Sequence, residues 1–372
     1  MMGNIEIIGT GLIYRNPKPH LKSIHAFFPS VVSLGNGELL ATLVLGEAFE
    51  SVNCRVYLSR STDHGKTWNL ERRLTNLPPD ALVSESCRIS ISPEGEVIAW
   101  VFNYERSNPE EGLANQGNAG FVPTRQFLYR SKDKGKRWNG TEAIKLPLVG
   151  PEFEMCCPIT FLSDGIWLAP TSTWRGWNGA CPDSMKAVAF VSYDKGKTWT
   201  EYMDVMDGHK NGIIFWEQKT IELDNGKLLS VAWTYDEMNK KDLCNHYAVS
   251  FNGRKFEEPK STGLQGQTPV IWYLGKDRIL TIYRRIDKPG LWANLSSLED
   301  DRWENISEAP LWGFVSSLKK KEDEDQNIVD EFKQLKFGAP SVLCLDDGSI
   351  FVAFWCFEDC VSNIRWITFR VL

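Results

Sequence analysis

Short segments of alternating apolar and polar residues recur along the chain in pairs that are joined by a tight turn. Each turn contains glycine, asparagine or aspartate, the residues that favour short hairpin connections. The six pairs are PSVVSLGNGELLATLV from Pro29, RISISPEGEVIAWV from Arg88, PITFLSDGIWLAP from Pro158, KTIELDNGKLLSVAW from Lys219, PVIWYLGKDRILTIY from Pro269 and PSVLCLDDGSIFVAF from Pro340. The pattern predicts six β-hairpins distributed along the whole chain.

A second pattern repeats behind these hairpins. STDHGKTW from Ser61 returns as SKDKGKRW from Ser131 and SYDKGKTW from Ser192, with Ser, Asp, Gly and Trp at the same offsets. A shorter copy, SFNGRKF from Ser250, has Asn for Asp and Phe for Trp. The starts lie 70, 61 and 58 residues apart (131−61, 192−131, 250−192), a spacing that suits four short strands with their loops.

Each copy follows an alternating segment, RVYLSR, RQFLYR, AVAFVS or YAVS, which places the motif at a β-turn. In such a turn Asp accepts backbone N–H bonds and Gly supplies a positive φ angle. The aromatic residue is expected to pack beneath the blade. One carboxylate per turn is too few for a metal site, so the motif is interpreted as stabilising the fold.

Six hairpins, at least four of them followed by a second hairpin, predict an all-β fold of six four-stranded antiparallel blades, a β-propeller formed by residues 1–372 as one domain. The amino-terminal segment IEIIGTGLIY is expected to pair with NIRWITFRVL in the last blade, which removes an exposed sheet edge. The charge-rich segment 317–336 is interpreted as a solvated insertion before the last blade, without chemistry.

The repeated octapeptide resembles the Asp box, or BNR repeat, of the sialidase (neuraminidase) superfamily, whose pattern is Ser-x-Asp-x-Gly-x-x-Trp. Members of that superfamily are six-bladed propellers, so the resemblance implies the same fold over nearly the whole chain. Asp boxes lie away from the sialidase active site. They therefore identify the scaffold and leave the reaction to be argued from other residues.

The sialidase catalytic signature matches this chain only in part. WEQKTIELDNGKLL resembles the segment with the family's catalytic glutamate, which implies that role for Glu217. Pro29 matches the Arg-Ile-Pro motif, whose arginine is absent here. Three further positions depart from the family pattern. Arg55 stands near the position at which sialidases have the acid/base aspartate. Trp233 stands where an arginine is expected, and Pro340 stands where the nucleophilic tyrosine is expected.

The pocket of such a propeller lies at one end of the central channel, where strand ends converge, and these positions supply the candidate catalytic residues. Glycoside cleavage needs one protonated carboxyl group and a second group that acts as nucleophile or base. Glu217 is the central candidate, and its partners are predicted among Glu47, Asp236 and Glu85. Tyr283 is an alternative nucleophile, and His25 is a candidate base.

Candidate substrate-binding residues come from the same strand ends. Arginines bind a sugar carboxylate through paired hydrogen bonds, and tryptophans stack on sugar faces. The predicted set is Arg88, Arg125, Arg284, Arg285, Arg365, Trp174, Trp216, Glu85 and His246. Two long segments, 104–124 and 173–186, are expected to project on the pocket face and to determine specificity.

These residues favour a carbohydrate-active enzyme, an exo-acting glycoside hydrolase that cleaves a terminal sugar, with an acidic sugar as one candidate. A polysaccharide lyase on the same scaffold is the first alternative, with His25 or His246 abstracting a proton beside a uronate. A carbohydrate-binding propeller without turnover is the second. The oligomeric state is left open.

The composition of the chain bears on other possible partners and on the location of the protein. The chain has 372 residues and a formal net charge of −6, with no stripe of Lys and Arg, which excludes a broad nucleic-acid face. No apolar run approaches a membrane span. Nine cysteines without a CxxC pair or a His/Cys cluster predict reduced thiols and neither metal nor cofactor. The start MMGNIEIIGTGL lacks leader features, which favours the cytoplasm, with secretion as the alternative if a leader has been removed.

Overall fold

The computed structural model describes residues 5–148, 152–155, 157–224, 226–313 and 336–372, with backbone only for 152–155. Apart from Lys336, the predicted charged insertion 317–336 lies outside the described residues. The described residues form six antiparallel sheets, and the inner strands of neighbouring sheets contact one another in a closed ring. The predicted six-bladed β-propeller is confirmed.

The strands follow the order of the predicted hairpins. The first strand of the chain, β1 (Ile5–Tyr14), belongs to the last blade. Blade one contains β2 (His25–Gly35), β3 (Glu38–Gly46), β4 (Arg55–Ser61) and β5 (Asn69–Arg73). Blade two contains β6 (Val83–Ile91), β7 (Val97–Glu105), β8 (Thr124–Ser131) and β9 (Asn139–Gly140).

Blades three and four each contain one additional short strand. Blade three has β10 (Glu152–Met155), β11 (Thr160–Phe161), β12 (Trp167–Trp174), β13 (Ala187–Ser192) and β14 (Glu201–Met206). Its inner position is divided between β10 and β11, which both pair with β12. After the 3-10 helix His209–Asn211, blade four has β15 (Ile213–Glu222), β16 (Leu228–Asp236), β17 (Lys241–Asp242), β18 (His246–Ser250) and β19 (Lys260–Ser261).

The last two blades complete the ring. Blade five contains β20 (Gly266–Gly275), β21 (Arg278–Arg285), β22 (Gly290–Glu299) and β23 (Arg302–Trp312). Blade six contains β24 (Phe337–Cys344), β25 (Ile350–Glu358) and β26 (Val361–Val371), with β1 as its outer strand. Strand β1 pairs antiparallel with β26, from Ile5 opposite Val371 to Tyr14 opposite Ile364, as the sequence predicts.

The turn motif has the predicted hydrogen bonds. In the first copy the backbone N–H groups of Gly65 and Thr67 donate to Ser61 Oγ and Asp63 Oδ1, both at 2.9 Å. Gly65 has a φ of 82°, and a Cβ atom there would lie 2.6 Å from the Phe351 ring. The Trp68 ring packs 6.1 Å from Phe351 in blade six. The motif therefore fixes its own turn and joins two neighbouring blades.

Apolar side chains fill the spaces between the blades. One buried cluster joins blades six, one and two through residues such as Phe351, Leu40 and Ile89. Burial of a single large aliphatic or aromatic side chain contributes about 1.5–3 kcal/mol. Among the described residues, no helix has the length and hydropathy needed to cross a membrane.

Candidate functional site

Four of the inner strands are interrupted by a bulge near their amino-terminal ends. The pairing registers of β2, β15, β20 and β24 with their neighbours shift at this point. Each bulge contains one residue with a positive φ angle: Phe28 at 49°, Glu217 at 46°, Thr268 at 50° and Ala339 at 45°. Non-glycine residues in this conformation cost about 1–3 kcal/mol each and are enriched at functional sites.

All four bulge residues line one cavity at this end of the channel. The cavity has a volume of about 120 Å³ and is open to solvent. Its charged side chains are Glu50, Glu85, Arg88, Glu217 and Arg284, and its aromatic walls are Phe28, Phe49, Tyr104, Phe121, Trp233 and Trp355. Aromatic walls with a few charged groups are typical of small-molecule sites.

Glu217 and Arg88 both line this cavity and interact electrostatically with each other. Glu217 is half-buried on its bulge, and Arg88 is 8% exposed. Arg88 Nη1 donates to the Pro29 carbonyl at 3.0 Å. Burial lowers the pKa of Arg88, while the nearby negative charge of Glu217 acts in the opposite direction. Because Arg88 also lines a cavity at the other end of the channel, its side chain separates the two spaces.

Glu85 supplies a second carboxylate and is 2% exposed. Thr75 Oγ1 donates to Glu85 Oε1, and the Val56 N–H donates to Oε2 at 3.2 Å. Burial raises the pKa of Glu85, although these hydrogen bonds and the Arg55 charge oppose the shift. Glu85 therefore joins blades one and two while one face of its side chain contacts the cavity.

Glu50 supplies a third carboxylate from the loop between β3 and β4. It is half-buried, and its Oε1 accepts the Leu113 N–H at 3.2 Å. Arg106 is buried and donates from Nη2 to the Glu50 carbonyl at 2.6 Å. The β7–β8 loop thus holds Glu50 at the rim of the cavity.

Arg284 is positioned by a chain of hydrogen bonds on the opposite wall. Its Nε and Nη2 donate to Gln267 Oε1 at 2.9 and 2.6 Å, and its Nη1 donates to the Phe337 carbonyl at 2.8 Å. Gln267 Nε2 donates to Asp242 Oδ2 at 2.8 Å, and Trp233 Nε1 donates to Asp242 Oδ1 at 2.5 Å. The guanidinium carbon of Arg284 lies 5.9 Å from the centre of the Trp233 ring.

A shallower groove adjoins the cavity and shares Phe49, Glu50 and Trp355 with it. Its other walls come from β2, from the Phe357 end of β25 and from residues 109–112 of the β7–β8 loop. Glu50 is the carboxylate that contacts both spaces, among the described residues that line them. The cavity and the groove are therefore adjacent, and Glu50 lies at their common boundary.

Three predicted arginines do not line the cavity. Each pairs with a nearby carboxylate: Arg125 with Glu105 at 2.7 Å, Arg365 with Glu358 at 2.8 Å, and Arg285 with Asp287 at 2.6 Å. Arg285 also pairs with Glu308 and faces the Trp292 ring. The structure thus brings Arg88 and Arg284 to the cavity and leaves the other three outside it.

The two tryptophans predicted to stack on sugars stack on each other. Trp174 and Trp216 are 4% and 2% exposed, with ring centres 4.8 Å apart and planes at 7°. Trp174 Nε1 donates to the Ala119 carbonyl at 2.7 Å. Trp216 precedes the bulge residue Glu217, so its ring packs between blades three and four while the Glu217 side chain contacts the cavity.

The remaining predicted residues lie outside the cavity. Glu47 is exposed, and Asp236 Oδ2 accepts Asn239 Nδ2 at 2.7 Å, a bond that helps to lower the pKa of Asp236. Tyr283 is 1% exposed and donates to Glu308 Oε2 at 3.5 Å, with burial raising its pKa. 

The two predicted histidines also lie outside the cavity. His246 Nδ1 lies 2.9 Å from the Cys244 carbonyl, and burial lowers the pKa of its ring. His25 lines the neighbouring groove.

The two long loops are hydrogen-bonded to each other on the cavity face. The Phe121 N–H donates to the Arg175 carbonyl at 2.9 Å, and Asn115 Nδ2 donates to the Trp177 carbonyl at 3.0 Å. The first loop contributes Leu113 and Phe121 to the cavity wall. The first loop therefore lies at the cavity as the sequence predicts, whereas the second loop contacts the first and contributes no described residue to the cavity wall.

Glu50, Thr268 and the bulges themselves were not predicted from the sequence. A signal for the bulges was present, because three of the four positive-φ residues precede a proline: Phe28, Thr268 and Ala339. Proline removes a ladder hydrogen bond, so within an inner strand it marks a bulge. Glu50 lies in a loop, where periodicity carries no information. In the part of the chain that the structure describes, no cluster of three or more His, Cys, Asp or Glu residues is arranged to hold a metal ion.

The fold is similar to several solved structures. A protein of unknown function from Dyadobacter fermentans has a TM-score of 0.74 at 18% identity, with 99% of each chain covered. The NanB sialidase from Streptococcus pneumoniae has a TM-score of 0.65 at 11% identity, covering 96% of this chain and 70% of the sialidase. An α-L-arabinanase from Penicillium chrysogenum, complexed with arabinobiose, has a TM-score of 0.65 at 17% identity, with 97% and 98% covered.

No protein-family profile and no curated protein matches the chain. The similarity is therefore one of fold, and the predicted structural resemblance to sialidases is confirmed at that level. Sialidases and arabinanases are glycoside hydrolases that act on different sugars, so the fold alone does not fix a substrate. This chain has the six-bladed propeller fold of both kinds of enzyme.

Proposed function

We propose that the protein is an exo-acting glycoside hydrolase that removes a terminal sugar from a glycan. The observation that supports this best is the convergence of Glu50, Glu85 and Glu217 on one cavity. A cavity whose floor is closed by Arg88 accepts the end of a sugar chain more readily than its middle. Aromatic walls that include the half-buried Phe28, Phe49 and Phe121 suit the apolar faces of a sugar ring.

Glu217 is assigned the role of nucleophile or base. It lines the cavity close to the buried Arg88, with which it interacts electrostatically. The strained backbone of Glu217, with its φ of 46°, directs the side chain away from the blade interior that Trp216 occupies. The fold thus maintains a costly conformation at the residue to which we assign the chemistry.

Glu50 is assigned the role of general acid. The oxygen that leaves with the rest of the glycan lies between the terminal sugar and the next unit, and Glu50 contacts both the cavity and the groove. Glu85 is more deeply buried, and both of its oxygens accept hydrogen bonds from the protein. We therefore assign Glu85 to the cavity wall.

The test is a panel of aryl glycosides of neutral and acidic sugars together with uronate polymers. Released phenol reports hydrolysis, and absorbance of an unsaturated product reports lyase activity. Glu217→Gln is expected to lower kcat by about 10²–10⁴-fold on the best substrate, the contribution of a positioned acid or base. Glu47→Gln is the matched control, because Glu47 is exposed and outside the cavity.

Two outcomes contradict the proposal. An unsaturated product without released phenol favours a lyase, whereas a sugar-dependent thermal shift without any turnover favours a binding protein. Equal activity of Glu217→Gln and Glu47→Gln removes the assignment of Glu217.

A further inference from the structure

The groove beside the cavity has an aromatic platform. His25 and Phe357 stack with ring centres 5.4 Å apart and planes at 27°. Phe357 is 39% exposed and lines the groove. An exposed ring supported by a second ring is a surface on which the flat face of a sugar can stack.

His25 adds a hydrogen-bond donor to this platform. Its Nδ1 accepts the Ser362 N–H at 3.1 Å, so the proton of the neutral ring is on Nε2. Burial lowers the pKa of His25, which favours the neutral ring. The imidazole therefore presents an N–H group without a positive charge.

The rim of the groove is acidic. Glu50, Glu110 and Glu111 line it, and no Lys or Arg is found among the described residues of its walls. Glu110 and Glu111 are exposed, so their effect on a ligand is screened by salt but still disfavours an anion. The cavity differs from the groove in this respect, because Arg88 and Arg284 line the cavity.

We propose that this groove binds the leaving unit of the substrate, a non-anionic sugar that stacks on Phe357, while the terminal sugar occupies the cavity. The inference rests on the proposed function and deepens it. It is supported by the adjacency of the two spaces, which share Phe49, Glu50 and Trp355, by the stacked pair of His25 and Phe357 and by the acidic rim. The preferred substrate is thus at least a disaccharide, linked at the oxygen beside Glu50.

The experiment compares three glycosides of the terminal sugar that the panel identifies: a methyl glycoside, a disaccharide with a neutral second sugar, and one with a uronate second sugar. Phe357→Ala is expected to lower kcat/KM for the neutral disaccharide about five- to tenfold more than for the methyl glycoside, mainly through KM. Phe251→Ala is the matched control, since Phe251 is also exposed but follows β18 in blade four.

The acidic rim is tested separately. Glu110→Gln combined with Glu111→Gln is expected to raise kcat/KM for the uronate disaccharide about threefold relative to the neutral one. Equal effects of Phe357→Ala on the methyl glycoside and the neutral disaccharide overturn the inference and leave the proposed function intact. Absence of hydrolysis of any glycoside overturns both.

Discussion

The turn motifs at the outer strands and the bulges at the inner strands are both repeated features of the propeller. The three full turn motifs have the same serine–aspartate–glycine hydrogen bonds, with Gly65, Gly135 and Gly196 each donating to the motif serine at 2.8–2.9 Å. The bulges repeat a backbone geometry, but their side chains are Phe, Glu, Thr and Ala. The turn motifs repeat both their residues and their geometry and belong to the scaffold. The bulges repeat only their backbone geometry, and their different side chains line the candidate site.

The turn motifs and the bulges differ in this way because they contact different parts of the molecule. The turn motif forms hydrogen bonds within its own turn and packs against the adjacent blade. Every copy therefore needs the same residues. The bulges direct their side chains toward one shared cavity, where each side chain contacts a different part of a ligand. Substitutions at the turns should therefore change stability, and substitutions at the cavity should change activity.

After Glu217→Gln, the largest effect is expected from Arg88→Met. Methionine keeps the length of the side chain but removes the charge beside Glu217, and loss of one electrostatic group at a reacting centre costs about 10²–10³-fold in kcat. Steady-state kinetics on the best panel substrate measures the loss, and the melting temperature checks the fold. Arg125→Met is the control, because Arg125 pairs with Glu105 on the surface. Equal kinetics of the two variants contradict the role of Arg88.

Deletion of residues 108–117 is expected to lower kcat/KM more than tenfold. The deleted segment includes Leu113, which lines the cavity, and Asn115, which bonds the second long loop. The expected loss of stability is smaller, because the segment is a surface loop. Kinetics and urea unfolding of the same preparation compare the two effects. An unchanged rate shows that this loop does not shape the cavity.

A smaller effect is expected from Asp242→Asn. The substitution places an amide near two donors, Trp233 Nε1 and Gln267 Nε2, and so disturbs the orientation of Arg284. KM is expected to rise about five- to tenfold with little change in kcat. Asp224→Asn is the control, since Asp224 accepts a bond from the Tyr273 hydroxyl in a turn. If both variants have the same KM, Asp242 does not position the cavity wall.

The smallest effect on activity is expected from Asp63→Asn in the turn motif. Activity should be unchanged, while the free energy of unfolding at pH 7 falls by about 1 kcal/mol, a value reduced for the partial exposure of Asp63. Burial acts to raise the pKa of Asp63, but the hydrogen bonds from Thr67 and Ser61 outweigh it and lower the pKa to about 2.

The sign of the pH dependence follows from that shift. A lowered folded-state pKa stabilises the protein above the unfolded-state value of 3.8, and the stabilisation is lost as the pH falls toward 2. The difference in unfolding free energy between the wild type and Asp63→Asn should therefore shrink between pH 7 and pH 3 in urea titrations. A difference that grows over this range would assign Asp63 a different role.

The fold was predictable from the sequence because its determinants are local. A turn such as Ser61 to Trp68 forms its hydrogen bonds within eight residues, and the spacing of its copies gives the number of strands per blade. Closure by β1 was predictable for a related reason, since an unpaired edge strand in the last blade needs a partner.

The residues of the site were predictable only where the position of a residue along its own strand determines whether it lines the cavity. Glu217, Arg88, Arg284 and Glu85 were identified as charges at apolar strand ends, and all four line the cavity. Trp174 and Trp216 stand at similar positions, but the bulge in β15 packs them against each other. Which side chains converge across six blades depends on such bulges and on loops, and neither follows from periodicity.

The most direct measurement compares Glu217→Gln at the cavity with Asp63→Asn at the turn. For each variant, kcat is measured on the best panel substrate, and the free energy of unfolding is measured by urea titration. Glu217→Gln is expected to lose about 10²–10⁴-fold in kcat while remaining folded, and Asp63→Asn is expected to lose stability with unchanged kcat. Full activity of Glu217→Gln on a glycoside that the wild type hydrolyses would contradict the assignment of the reaction to this cavity.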